Sequence, residues 1–355
     1  MKKTFFILFI FCFLVTFISC SNKPKRSRKP VSTIVLIPNQ KEYRINNPIS
    51  VQIKTNLKNG NIEKIELFYE NELITTEKSL DFTIELKTIA HLGPNSLKVI
   101  ATKTDGVNNT RYKTFSVLSD INPKINDFEV IKEYNHSVDF FTEGLLMHNG
   151  FLYESTGQNG ASAIHKINLN SGSILLKKDL DKKYFGEGIT ILNDKIYQLT
   201  YTSKKGFVYN LSDFALIDSF QINSAQGWGL TNDGEYLIMS DGTNKLTWID
   251  PETYIPKKDL YVASNKMHQN NVNELEYIDG SIFANIWMKN YIIEIDAESG
   301  KILSTTDLSD LYGMFSSDFP IDVLNGIALN ESTGNLLVTG KWWPVMFEIK
   351  LKESE

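Results

Sequence analysis

Between residues 31 and 120 hydrophobic and polar side chains alternate. Ile49, Val51 and Ile53 form one row, and Ile65, Leu67 and Tyr69 a second. Leu80, Phe82 and Ile84 form a third, and Leu97, Val99 and Ala101 a fourth. A period of two places every second side chain on one face of an extended strand. Turn-forming clusters separate the rows: Asn46-Asn47-Pro48, Lys58-Asn59-Gly60, Gly93-Pro94-Asn95 and Asp105-Gly106. Short strands so spaced predict an immunoglobulin-like β-sandwich over 31–120, with Asn122-Pro123 as the junction to the next domain. The sequon Asn108-Asn109-Thr110 reads as a further turn. No catalytic constellation is visible in this stretch, whose expected role is to hold the next domain away from a surface.

From 126 to 351 the chain repeats itself. One recurring feature opens a strand: Glu143-Gly144-Leu145, Glu187-Gly188-Ile189, Trp228-Gly229-Leu230, Asn273-Glu274-Leu275 and Asn325-Gly326-Ile327, whose middle residues are 44, 41, 45 and 52 apart. A second closes one: Ile167-Asn168-Leu169-Asn170, Tyr209-Asn210-Leu211-Ser212, Ile249-Asp250-Pro251-Glu252 and Ile295-Asp296-Ala297-Glu298. Several β runs per unit, almost no helical periodicity and a period near 45 predict β-propeller blades. Five units fill the segment, so the expected fold is all-β: a five-bladed propeller, favoured over six blades, after the sandwich. Pairing of the strand around Phe128–Val130 with Val345–Leu351 would close the ring and hide its edges.

In such a ring, equivalent residues of different units point at one place. The leading residues Glu143, Glu187, Trp228, Asn273 and Asn325 should therefore surround one mouth of the channel. Aligning the second strands of the units on Leu152, Ile196, Leu237, Ile282 and Leu336 brings Gly157, Tyr201, Gly242, Trp287 and Lys341 to the same mouth. Phe141 and Phe185, two residues before each Glu, face the same region. Aromatic walls enclosing two carboxylates, two carboxamides and one ammonium make a candidate small-molecule site.

Composition and charge narrow the partners. The formal charge is −5; without the first 30 residues it becomes −12, from 30 basic and 42 acidic side chains. Nucleic acid is not an expected partner. Lys2 and Lys3 precede the apolar run Phe5–Ile18, and Ser19-Cys20 comes directly after it. This is a secretory signal over 1–20, and its 14-residue apolar run is short for a membrane span. A Cys after a small residue resembles a bacterial lipobox, although Phe17 stands where Leu is usual. The resemblance implies cleavage before Cys20, lipidation of that residue and anchorage in the cell envelope, with the periplasmic face of the outer membrane the expected place. Residues 21–30 hold five basic side chains and two prolines and read as a tether. The only two cysteines are Cys12 and Cys20, so the mature body is expected to have neither disulfide nor thiol chemistry. The five histidines show no metal-ligand spacing.

The segment 126–351 resembles the glutamine cyclotransferases (glutaminyl cyclases) of plant and bacterial type. The matching motifs are Phe141-Thr142-Glu143-Gly144-Leu145, Phe185-Gly186-Glu187-Gly188, Tyr197-Gln198-Leu199-Thr200-Tyr201, Gly227-Trp228-Gly229-Leu230, Asn273-Glu274-Leu275-Glu276-Tyr277, Asn285-Ile286-Trp287, Asn325-Gly326-Ile327-Ala328 and Gly340-Lys341-Trp342-Trp343. The resemblance implies a five-bladed propeller. It also implies an activity: an N-terminal glutamine on a peptide or protein closes to pyroglutamate and releases ammonia, without metal or cofactor. Glu187 falls on the family's acid/base position. Two residues depart from the family: Glu143 stands where Gln is usual, and Tyr201 where Trp is usual. Both bear on rate and substrate preference rather than on reaction type.

The chemistry needs a base for the amine, a donor for the oxyanion and a proton for the departing nitrogen, and one carboxylate can serve the first and third. Asn273 and Asn325 offer donors for the amide oxygen or acceptors for the amine. Lys341 is open to two readings: it stabilises the oxyanion or it pairs with a Glu. Phe141, Phe185, Tyr201, Trp228 and Trp287 would pack the substrate's methylenes and exclude water. Trp342 and Trp343 belong to the rim or to packing between blades. A monomer is expected. Two alternatives remain: a Ca²⁺-dependent, lactonase-like propeller hydrolase built on the two Glu and two Asn, and a non-catalytic peptide-binding propeller.

Overall fold

A computed structural model of the protein describes residues 26–316, 318 and 320–353. The expected signal, Cys20 and the first half of the tether lie outside these residues. Residues 26–30 lie against a sheet: the Arg28 amide donates to Asn59 Oδ1, and Asn109 Nδ2 donates to the Pro30 carbonyl.

Among the described residues the fold is all-β, with one short 3₁₀ turn at Ser309–Gly313. The N-terminal strands are β1 (Val31–Ile37), β2 (Glu42–Arg44), β3 (Ile49–Asn56), β4 (Ile62–Tyr69), β5 (Glu72–Glu77), β6 (Asp81–Leu86), β7 (Gly93–Lys103) and β8 (Asn108–Leu118). They form a three-stranded sheet, β1-β3-β6, and a five-stranded sheet, β2-β8-β7-β4-β5. The alternating rows supply the shared core, in which Ile49, Val51, Ile53, Ile65, Leu67, Leu97, Val99 and Ala101 are fully buried. Three sequence expectations are corrected. Gly93-Pro94-Asn95 is not a turn but the start of β7, paired with Phe115–Val117 of β8. Asn108-Asn109-Thr110 is not a turn but the start of β8, because the chain has already reversed at Asp105-Gly106, where Gly106 supplies a φ of 80°. Leu80 lies outside its strand and is exposed, since β6 begins one residue later.

β9 (Lys124–Asn135) comes next, and then a run of meanders. β10 (Thr142–His148), β11 (Phe151–Thr156), β12 (Ala163–Asn168) and β13 (Ser173–Asp179) form one four-stranded sheet. β14 (Gly186–Leu192), β15 (Lys195–Thr200), β16 (Lys205–Asn210) and β17 (Leu216–Gln221) form the next. β18 (Leu230–Asn232), β19 (Leu237–Ser240), β20 (Lys245–Ile249) and β21 (Pro256–Tyr261) form a third. β22 (Val272–Ile278), β23 (Ser281–Ile286), β24 (Tyr291–Asp296) and β25 (Ile302–Asp307) join β26 (Leu324–Asn330), β27 (Asn335–Gly340), β28 (Val345–Glu353) and β9 in a sheet of eight. That sheet is two meanders linked where β25 pairs in parallel with the start of β9. β9 and β28 pair antiparallel from Asn126↔Glu353 to Asn135↔Val345.

The first strands of the meanders touch in a closed cycle: β10 with β14, β14 with β18, β18 with β22, β22 with β26, and β26 with β10. They are buried on both faces over most of their length. The last strands of the first three meanders are exposed and charged, as in Ser173–Asp179. Close approach at the centre explains the glycine found in four of the five openings. A Cβ on Gly229 would lie 2.1 Å from the Asn273 carbonyl oxygen. The fourth unit has Glu274 instead. Its fully buried carboxylate accepts from the amides of Leu145 (3.1 Å) and Ile327 (2.8 Å), tying three first strands together across the centre.

Candidate active site

Each leading residue sits at an irregularity in its strand. The pairing register shifts between Thr142 and Gly144, Gly186 and Ile189, Val272 and Leu275, and Leu324 and Ile327. These bulges carry Glu143, Glu187, Asn273 and Asn325. A bulge leaves one residue outside the ladder and re-aims its side chain. In the remaining unit Trp228 precedes a strand that starts only at Leu230, held by its amide on the Ser240 carbonyl.

One cavity of about 580 Å³ is lined by Phe141, Glu143, Phe185, Glu187, Tyr201, Trp228, Asn273, Trp287 and Lys341. The structure thus brings nine of the ten predicted residues together. Asn325 does not line the cavity: it lies fully buried behind Asn273. Its Oδ1 accepts from Asn273 Nδ2 at 2.9 Å, and its own Nδ2 donates to the Thr142 carbonyl. That relay fixes which way the Asn273 amide points.

The walls are aromatic. Phe141 meets Phe185 edge to face, with ring centres 6.0 Å apart, and Phe185 continues to Tyr201. Across the cavity Trp228 and Trp287 meet edge to face at 5.8 Å. Gly157 ends the second strand of the first unit because the Phe185 ring occupies the position of its missing side chain, 2.5 Å from a Cβ placed there. Trp342 stands against Phe141, whereas Trp343 is fully buried among Tyr312 and Phe315.

Three ionisable groups, Glu143, Glu187 and Lys341, are buried on the floor. Lys341 Nζ lies 2.7 Å from Glu143 Oε1 and Oε2 and 4.5 Å over the Phe141 ring. Of the two sequence readings of Lys341, the structure has the pairing with a Glu. The carboxyl groups of Glu143 and Glu187 lie within hydrogen-bonding reach of each other. Burial pushes Glu143 up to about 7 against the pull of the Lys341 ammonium. Burial pushes Glu187 well above the ordinary carboxylate range, and the neighbouring Glu143 charge adds to the rise. Like charges this close cannot both ionise cheaply, so the two carboxyls titrate as a pair and Glu187 is the one that burial and its neighbour hold protonated more strongly. The ammonium sits where a cation held by the Glu143 carboxylate would have to sit. Among the described residues no group of three or more His, Cys, Asp or Glu side chains is placed to hold a metal.

Sequence reasoning missed Gln158, Gln226, Asp241, Thr243 and Asn271, which also line the cavity. They lie between strands, where the repeat imposes no register. Gln226 accepts from Trp228 Nε1 at 2.9 Å and fixes that ring. Glu274 was overlooked as a tie, although its place among four glycines was visible in the alignment of the openings.

Residues 101–351 match the family described as glutamine cyclotransferase. A glutaminyl-peptide cyclotransferase of Arabidopsis thaliana is 39% identical over 238 residues, which cover 66% of this chain and 74% of the plant protein. The crystal structure of the Myxococcus xanthus glutaminyl cyclase superposes with a TM-score of 0.62 at 30% identity, with 66% of this chain covering 100% of that one. By motif, by fold and by a match spanning most of its length, the chain belongs to the glutamine cyclotransferase family.

Proposed function

We propose that the protein is a glutaminyl-peptide cyclotransferase that converts the N-terminal glutamine of peptides or proteins to pyroglutamate and releases ammonia. The observation that carries the mechanism is the buried Glu187–Glu143 pair, with Lys341 bound to Glu143, on the floor of an aromatic cavity. The α-nitrogen of the glutamine bonds to its own side-chain amide carbon, the bond from that carbon to the amide nitrogen breaks, and one proton passes from the first nitrogen to the second. Both reacting groups belong to one residue, so holding them in an attack geometry supplies much of the acceleration. Glu187 begins protonated. It gives its proton to the amide as the tetrahedral centre collapses and takes one from the attacking nitrogen, ending as it began. Above about pH 7 Glu143 is ionised against Lys341, and its charge helps to keep the proton on Glu187. The Asn273 amide, with its Nδ2 committed to Asn325, turns Oδ1 to the substrate amine. Phe141, Phe185, Tyr201, Trp228 and Trp287 enclose the methylenes and keep out water that would give glutamate instead.

The same proposal takes the closed cycle of first strands as a five-bladed propeller over 126–351, and the two N-terminal sheets as an immunoglobulin-like sandwich over 31–120. It includes a monomer held to the bacterial envelope by lipid on Cys20, on the periplasmic face of the outer membrane. Incubating the protein with a peptide beginning in glutamine should remove the mass of one ammonia, read by mass spectrometry. A purified protein that binds such a peptide and leaves its mass unchanged is a binding module, not an enzyme.

A further inference from the structure

The segment between β21 and β22 has two ends with different neighbours. Its outer end lies on the N-terminal sheets. Arg44 Nε and Nη2 donate to the Asn265 carbonyl at 3.2 and 2.9 Å. The Ser119 amide donates to the Ser264 carbonyl, and the Asn265 amide to the Ile121 carbonyl. Ser116 Oγ lies 2.6 Å from His268 Nε2. Ala263 is buried in the N-terminal core itself. The Tyr261 ring covers Gly93, where a Cβ would lie 2.4 Å from Tyr261 Cγ, and stacks on His91.

The inner end enters the active site. Asn271 lines the cavity in the left-handed conformation, at φ 63°. Its amide donates to the Gly242 carbonyl and its carbonyl accepts from the Trp287 amide, each at 2.9 Å. Two residues later comes Asn273. One short connector therefore links the N-terminal sheets to the wall made by Asn271, Asn273 and Trp287. The 66% of this chain that superposes on the Myxococcus xanthus enzyme already covers that enzyme completely, so the remaining third is additional to it.

We infer that the N-terminal sheets are a positioning part of the substrate site. They hold the 262–271 connector so that Asn271 fixes Trp287 in the cavity wall. The sequence alone suggested only a spacer role for these sheets; the contacts give them a route to substrate affinity. Glu143, Glu187 and Lys341 lie on other units, so the coupling acts on binding and leaves the proton transfer alone.

The inference about affinity rests on the cyclase activity proposed above, and the test separates the two. In the full chain, Arg44→Ala combined with Ser116→Ala removes two anchors without touching the connector. The expected result is faster hydrogen exchange at the 262–268 amides and at the Trp287 amide, with the β14 and β15 amides unchanged. KM for a glutaminyl peptide should rise about tenfold while kcat stays within about twofold and its pH profile does not move. Arg44→Lys in place of Arg44→Ala returns one donor to the Asn265 carbonyl and should recover part of the KM. Unchanged exchange at 262–268, or a loosened connector with unchanged Trp287 exchange and unchanged KM, overturns the inference. A wild-type protein with no ammonia release overturns the cyclase function, while Trp287 exchange still decides whether the sheets position the wall.

Discussion

Glu187 and Glu143 are both raised because each is buried and each is the other's neighbour, while only Glu143 is in direct contact with the Lys341 ammonium. Glu187→Gln keeps the shape and removes the shuttle. It should lower kcat by about 10²–10⁴-fold with peptide affinity nearly unchanged, as read by ammonia release and calorimetric titration. Glu143→Gln removes the negative charge that helps to hold the Glu187 proton. Glu187 then ionises at lower pH, and the alkaline limb of the activity profile should move down. Lys341→Met works in the opposite sense on the other carboxyl. Without the cation, Glu143 stays protonated to higher pH, so the acid limb of kcat/KM should shift upward. A limb that stays in place would show that the pair does not titrate in catalysis. The residue types were legible in the sequence, because both Glu lead recurring openings. Their coupling was not, since it depends on a distance between two units.

At the scale of elements, alternation located most strands but did not show how the site residues leave the ladder. The bulges at Thr142/Gly144 and Gly186/Ile189 are one-residue slips. Such a slip would invert an alternating pattern, but these strands are buried on both faces and carry no alternation to mark it. β8 was misjudged for a related reason. Asn and Asp favour turns locally, and pairing with β7 overrode that preference at Asn108 and Asn109. Where elements approach closely, single methyl groups should be felt. Gly229→Ala should destabilise the fold by about 1–3 kcal/mol in urea unfolding, since its Cβ would meet backbone that cannot move aside. Gly157→Ala meets only the Phe185 and Phe141 rings. It should raise KM with a smaller loss of stability.

Over the whole molecule, Glu274 joins units that are distant in sequence. Glu274→Ala strips the acceptor from two buried amides at about 1–3 kcal/mol each and should cost about 2–6 kcal/mol. Burial raises the Glu274 pKa well above the usual carboxyl range, with the nearby Glu276 charge adding to it. Between the ordinary value near 4.3 and the raised one, the folded protein keeps a proton that the unfolded chain has released. Stability therefore falls as pH rises through that window. Glu143 contributes in the same sense up to about 7. Thermal unfolding should show a higher Tm at pH 5 than at pH 8, and Glu274→Gln should flatten that slope. The long β9–β28 ladder completes the ring from the two ends of the repeat region. Its partners were legible in advance, because both strands alternate and they stand at the two ends of the repeat region.

The sequence by itself determined the all-β class, the repeat and the side chains that recur at the head of each unit, since periodicity and turn chemistry are local properties that one-dimensional order preserves. Tertiary structure alone decided which of those side chains share a cavity, that Asn325 stands behind Asn273, that Lys341 pairs with Glu143, and that the N-terminal sheets grip a connector whose Asn271 binds the Trp287 amide. These are facts of distance and desolvation between segments far apart along the chain, and only closure of the ring brings them to a few ångströms.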